Sequence, residues 1–237
     1  MTKRIVIVGS VTFTALAPME RGTAQRGSSA PAGEAFGYLD LAVPVGAFQD
    51  HVDLGGGAGF GGVLLGADGL VGLRAEGHFI IYGAESRRVP LSPTVPFVDV
   101  DVQTTNSIFS AGLGPQIYLG RGPIRPYVYG TAGFAYFVTS TSVNGSHGDE
   151  PIASTTNFDD FRWAFTGGGG LSIRVRGGEN PLSLDLSASY QRNGLTEYLA
   201  DGAANLRRLG RGDWVADPIV SDANLMTYRV GVSVGIG

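Results

Sequence analysis

The feature that most constrains this chain is a period of two that returns along most of its length. Leu39, Leu41, Val43, Val45 and Ala47 alternate with Tyr38, Asp40, Ala42, Pro44 and Gly46. Val71, Leu73, Ala75, Gly77, Phe79 and Ile81 alternate with Gly72, Arg74, Glu76, His78 and Ile80. Segments 162–175, 182–191 and 227–236 repeat the pattern, led by Trp163, Leu184 and Val230. Successive side chains of a strand point to opposite faces, so each segment reads as a strand with two unlike faces. Segments 55–65, 105–119 and 125–140 fit less cleanly and bring the expectation to eight strands. Glycine fills 38 of 237 positions, about twice its usual share, and is poor in helix interiors, which disfavours a helical bundle.

The connections predict how the strands are joined. Gly66-Ala67-Asp68-Gly69, Gly120-Arg121-Gly122-Pro123 and Gly177-Gly178-Glu179-Asn180-Pro181 are short and turn-forming, as tight hairpins require. The other connections, roughly 48–54, 84–104, 141–159 and 193–223, are longer. Short and long alternate strictly, so all long loops fall at one end of an up-and-down meander. Short turns at one end and long loops at the other are the signature of a transmembrane β-barrel.

Alternation alone does not say which face is inside, because a soluble secreted barrel of lipocalin type gives the same pattern. Three features favour lipid outside. The polar face is rich in Gly, Ser and Thr rather than in the charges of a solvated surface. The apolar face carries Phe109, Trp163, Tyr190 and Tyr228 near strand ends, where aromatic girdles sit. The N-terminus supplies the third: Lys3 and Arg4 precede an apolar stretch from Ile5 to Met19, followed by Gly22-Thr23-Ala24. That is the layout of a cleavable signal peptide over residues 1–24. Residues 25–34 read as a flexible lead-in, and 35–237 as the barrel.

Other classes are excluded by composition. No run of 18 apolar residues offers a transmembrane helix. A net charge of −4 argues against a nucleic-acid partner. With no cysteine, disulfides and thiolate sites are absent.

The segment Arg125-Pro126-Tyr127-Val128-Tyr129-Gly130-Thr131-Ala132-Gly133-Phe134-Ala135-Tyr136 resembles the fifth strand of the small eight-stranded, OmpA-like outer-membrane barrels, and the likeness extends over 35–237. The last strand is similar to that group's assembly signal, with Arg229, Gly231, Val234 and Ile236 in the signal positions. It departs from the bacterial pattern by finishing on Gly237 rather than an aromatic residue. The resemblance implies an all-β, eight-stranded antiparallel up-and-down transmembrane barrel in a Gram-negative outer membrane. The partners it implies are outer-membrane lipid, lipopolysaccharide and the barrel-insertion machinery. The group spans structural anchors, adhesins, small-solute conduits and a few lipid-modifying enzymes, so the role stays open. The expectation here is a non-enzymatic surface protein without a cofactor.

On the polar face stand Asp40, Arg74, Glu76, Asp185 and Arg229. An eight-stranded barrel is just wide enough for side chains to fill, and buried charges must pair. These five are therefore expected to form an interior network that plugs the lumen. Glu76 and Arg229 are expected near mid-height, facing each other, with Arg74, Asp185 and Asp40 lower. Gly57, Gly59 and Gly62 spell GxGxxG, but no helix follows, so room for opposing side chains is the better reading. His51 and His147 read as loop residues, and His78 as lying near the outer end of its strand. Asp149-Glu150 and Asp159-Asp160 read as a solvated acidic loop rather than a Ca²⁺ site. The last connection mixes Leu195, Tyr198, Leu199, Leu206, Leu209, Trp214 and Val215 with Arg207, Arg208 and Arg211. It suits either a lid over the mouth or a surface for lipid phosphates and partners.

Overall fold

The computed structural model describes residues 32–92, 95–145, 151–199, 206–208, 214–216 and 219–237. The segment read as a signal peptide lies outside the described residues. Eight strands close into one antiparallel barrel. They are β1 (Gly33–Val45), β2 (Gly55–Leu65), β3 (Val71–Ser92), β4 (Val95–Tyr118), β5 (Ile124–Gly145), β6 (Pro151–Arg176), β7 (Leu182–Arg192) and, after four short strands, β12 (Asn224–Ile236). Each strand pairs with its sequence neighbour, and β12 returns to β1 from Gly33↔Ile236 to Val45↔Asn224. Closure leaves no edge in the lower wall. β1 begins at Gly33, two residues inside the segment read as a lead-in.

The three short turns lie at one end as expected. Asp68 Oδ1 there accepts the backbone N–H of Leu70 at 3.0 Å and of Val71 at 3.4 Å. These two bonds hold the Asp68 carboxyl below its usual range. Gly69 follows at φ +66°, a conformation that side chains disfavour.

The opposite end corrects the expectation. Segments 84–104 and 141–159 are mostly not loops. β3 and β4 pair up to Ser92↔Val95, and β5 and β6 up to Asn144↔Pro151. Strands β3 to β6 therefore run for 22, 24, 22 and 26 residues, whereas β1, β2, β7 and β12 have 13, 11, 11 and 13. The shorter set already suffices to cross a bilayer at a barrel's tilt. The longer set rises as a four-stranded wall above one side of the mouth. Outside Val98, Val100 and Val102 the residues of this wall are mainly polar or small, so the period-two signal fades. Backbone pairing persists, because every N–H and C=O still needs a partner. Polar contacts mark this region, including Thr104 Oγ1 with Thr141 Oγ1 at 3.0 Å and Thr139 Oγ1 donating to Asn106 Oδ1 at 2.7 Å.

The last connection is also partly ordered. It contains β8 (Leu195–Tyr198), β9 (Leu206–Arg208), β10 (Trp214–Ala216) and β11 (Ile219–Asp222). β8 pairs with β11, and β9 with β10.

Candidate functional site

The barrel is inverted relative to a soluble protein. Leu39, Phe60, Leu64, Leu73, Leu113, Trp163, Phe165, Val230 and Val232 are exposed on its outer surface. Asp40, Arg74, Glu76, His78, Asp185 and Arg229 are buried inside. Phe134 stacks on Phe161 at 5.3 Å, and Phe161 meets Trp163 edge-on at 6.1 Å, which forms an aromatic band on the outer wall. An apolar outside around a charged inside, with every barrel strand paired to two others, is the arrangement of a barrel whose outer surface meets lipid. The chain is a barrel of the outer-membrane type.

The interior is filled in three layers. Nearest the short turns, Arg125 donates to Glu34 Oε1, and Tyr118 donates to Glu34 Oε2. The Arg125 guanidinium lies 4.2 Å from the Tyr118 ring centre. Tyr127 packs edge-on against the Tyr118 ring at 5.7 Å.

The middle layer holds the charges. Arg74 donates through Nε to Glu76 Oε2 at 2.9 Å and through Nη1 to Gln116 Oε1 at 2.7 Å. Its guanidinium lies 4.2 Å from the ring centres of both Phe36 and Tyr129. Arg229 Nη1 reaches Glu76 Oε2 at 3.3 Å and donates to the Tyr129 hydroxyl at 2.6 Å. Thr131 Oγ1 donates to Glu76 Oε1 at 3.2 Å. Glu76 thus faces two guanidiniums and a hydroxyl, with its side chain 3% exposed. A buried carboxylate is tolerated only with such partners.

Asp40 does not lie below Glu76 as expected; it stands level with Arg229, its register partner on the neighbouring strand. Its Oδ1 is 3.6 Å from Arg229 Nε, and its Oδ2 is 2.8 Å from His78 Nδ1. His78 also corrects the sequence reading. Because β3 continues far above it, His78 lies in mid-lumen, with Nε2 3.3 Å from Glu76 Oε2. Its inward phase with Arg74 and Glu76 is the signal; the supposed end of the strand masks it. Asp185 accepts a hydrogen bond from the Tyr127 hydroxyl at 2.7 Å, and no described guanidinium lies within ion-pair distance of it. Glu34, Arg125 and Gln116, and the tyrosines at 38, 127 and 129, are interior polar groups that sequence reasoning missed. Glu34 and Arg125 sit at strand ends, and tyrosine reads as apolar in a binary pattern.

Glycines make this filling possible. A Cβ on Gly59 would overlap the His78 ring, one on Gly231 the Tyr38 ring, and one on Gly168 the Tyr129 ring. The GxGxxG run is thus a strand with space for opposing side chains, and no helix follows it. Gly231 faces the lumen beside Tyr38, whereas Val234 and Ile236 are exposed on the outer wall.

The top layer is apolar. Phe48, from the 3-10 turn Gly46–Asp50, is fully buried at the centre of Tyr82, Ile108, Phe137, Tyr198 and Leu225. Its ring meets Tyr198 edge-on at 4.9 Å and Tyr82 at 5.7 Å. Tyr198 also bonds Ser221 Oγ at 2.8 Å, and burial pushes its phenol pKa up. Tyr198 and Leu199 therefore fold back over the mouth, while Leu195 is exposed. Leu209 and Arg211 lie outside the described residues, as do the side chains of Leu206, Arg207, Arg208, Trp214 and Val215.

The remaining candidates separate. His51 is exposed, and no described residue bonds its ring. His147, Asp149 and Glu150 lie outside the described residues. Asp160 Oδ2 accepts from Arg162 Nε at 2.9 Å and from the Glu197 backbone N–H at 2.8 Å, so it docks β8 onto β6.

No protein-family model and no curated relative matches the sequence. Among solved structures, the chain is similar to Neisserial surface protein A, with 12% identity over 88% of this chain and 99% of that one, at a TM-score of 0.49. It is similar to the outer membrane protein OprG from Pseudomonas aeruginosa, with 15% identity over 88% and 97%, at 0.45. A major outer membrane protein from Thermus thermophilus shares 11% identity over 85% and 98%, at 0.47. The assignment of the barrel rests on its own hydrogen-bond ladder and inverted surface, not on these likenesses.

Proposed function

We propose that this chain is a non-enzymatic outer-membrane protein of a Gram-negative bacterium, with a lumen closed by its own side chains and a raised wall that presents loops outside the cell. The observation that carries this reading is the layered interior. A path through it must pass Phe48, then the Glu76 cluster, then Glu34 with Arg125. His78 meets two acids, but it is enclosed between the Phe48 layer and the tyrosines, out of reach of a lipid substrate. Short turns on the periplasmic side place the raised wall and the β8–β11 segment outside. The last strand supplies the assembly signal through Arg229, Gly231, Val234 and Ile236.

One observation favours a second reading as a narrow conduit. Asp40 Oδ1, His78 Nε2, Ser110 Oγ and Arg229 Nε are buried without a hydrogen-bond partner. A cavity of about 10 Å³ beside Glu76, His78, Ser110, Thr131 and Gln191 has room for about one water molecule. Planar-bilayer recording separates the two readings. The refolded protein is expected to give no discrete conductance steps, and reproducible steps from the wild-type chain would overturn the closed lumen in favour of the conduit.

A further inference from the structure

The outer wall lacks two side chains where neighbours should stand. Gly130 on β5 and Gly167 on β6 are register partners. Both hold outward positions, in phase with exposed Val128 on β5 and exposed Phe165 on β6. Crowding does not require glycine at either place. A Cβ on Gly167 would meet nothing within 4 Å, and one on Gly130 only the Thr166 carbonyl oxygen at 3.8 Å. The inward glycines at 59 and 168 differ, because their space is already taken. Beside this gap the β4–β5 ladder breaks off at Leu113↔Ala132 and resumes at Gln116↔Tyr129, with Pro115 between.

The result is a shallow, open groove in the outer wall, lined by the two glycines with Leu113, Pro115, Phe165 and Tyr190. Arg192 lines it as well, as the register partner of Phe165. It is exposed, and no described acid pairs with it. β7 climbs from a short turn and ends at Arg192, so this cation stands at the long-loop end of the membrane band. The apolar groove thus runs up to a guanidinium at the water-facing edge. A membrane lipid has the matching order: an acyl chain, then a phosphate, for which arginine is well suited.

We infer that this groove holds one phosphorylated glycolipid of the outer leaflet, with an acyl chain over Gly130 and Gly167 and a phosphate on Arg192. The inference rests on the outer-membrane reading above. The cation, exposed and without an acid partner among the described residues, selects an anionic headgroup, and its height selects the outer leaflet. The probe is diphosphoryl lipid A, titrated onto the detergent-refolded full barrel and followed by native mass spectrometry, with phosphatidylcholine as the neutral control. One lipid A per barrel is expected to be retained in preference to phosphatidylcholine. Arg192→Gln removes a charge-assisted contact and should weaken retention by roughly tenfold. Gly130→Leu with Gly167→Leu fills the groove from positions that have room for a side chain, and should weaken retention to a similar degree. A wild-type barrel that retains no lipid A, or retains it no better than phosphatidylcholine, overturns the inference. So does equal retention by all three proteins, and so does loss in Arg192→Gln with none in the filled groove. Failure of the outer-membrane reading looks different: the chain would not fold into phosphatidylcholine vesicles with a β-sheet circular-dichroism spectrum.

Discussion

Glu76 on β3 and Arg229 on β12 meet across the lumen at 3.3 Å, although β1 and β2 stand between their strands. Glu76 also bonds Arg74, so Glu76→Gln leaves two buried guanidiniums facing a neutral amide. The expected loss is about 3–5 kcal/mol, measured by reversible urea unfolding in vesicles. Adding Arg229→Met should restore part of it. A loss below about 1 kcal/mol would mean that water screens the cluster.

The apolar outer wall gives a depth-dependent prediction. Arg at Val230, outward, exposed and at the middle of β12, should destabilise by roughly 2–4 kcal/mol, and Arg at Ile236, at the strand end, by far less. Equal tolerance at all depths would contradict lipid contact. The same unfolding assay reads both sets.

The Phe48 layer predicts a packing cost. Phe48 is fully buried among Tyr82, Phe137 and Tyr198, so Phe48→Ala should cost about 3–5 kcal/mol. Trypsin should then cut the connection after β7 faster, because Tyr198 loses its ring partner. An unchanged digestion pattern would show that the β8–β11 segment is held in some other way.

Closure itself predicts heat modifiability. With every strand of the lower wall paired on both sides, no edge is available to fray. The unheated protein should migrate differently from the boiled protein on SDS gels. Identical migration with a helical circular-dichroism spectrum would overturn the fold.

Asp68 predicts a local pH dependence. Its carboxyl is held low by the N–H groups of Leu70 and Val71. A depressed folded pKa contributes stability above the unfolded carboxylate pKa, and that contribution is lost as pH falls through the folded value. Amide exchange at Leu70 and Val71 should therefore accelerate, relative to the intrinsic rate, at acid pH. Asp68→Asn keeps an acceptor without a charge and should remove that dependence.

What the sequence determined by itself follows from local periodicity. Within the membrane each strand separates lipid from lumen, so residues such as Leu73 and Arg74 must alternate, and the pattern is visible without any structure. The same phase assigned Asp40, Arg74, Glu76, Asp185 and Arg229 to the inward face, and the turn residues separated short connections from long ones. The tertiary structure decided three things that periodicity does not carry. Above the membrane the extensions of β3 to β6 are mainly polar and carry little alternation outside Val98, Val100 and Val102, and only their pairing revealed them. That extension in turn moved His78 from a strand end to mid-lumen beside Asp40 and Glu76. Which inward groups touch depends on strand register and shear summed around a closed barrel. Asp40 therefore came level with Arg229, and Asp185 met Tyr127, through relations between residues far apart in sequence.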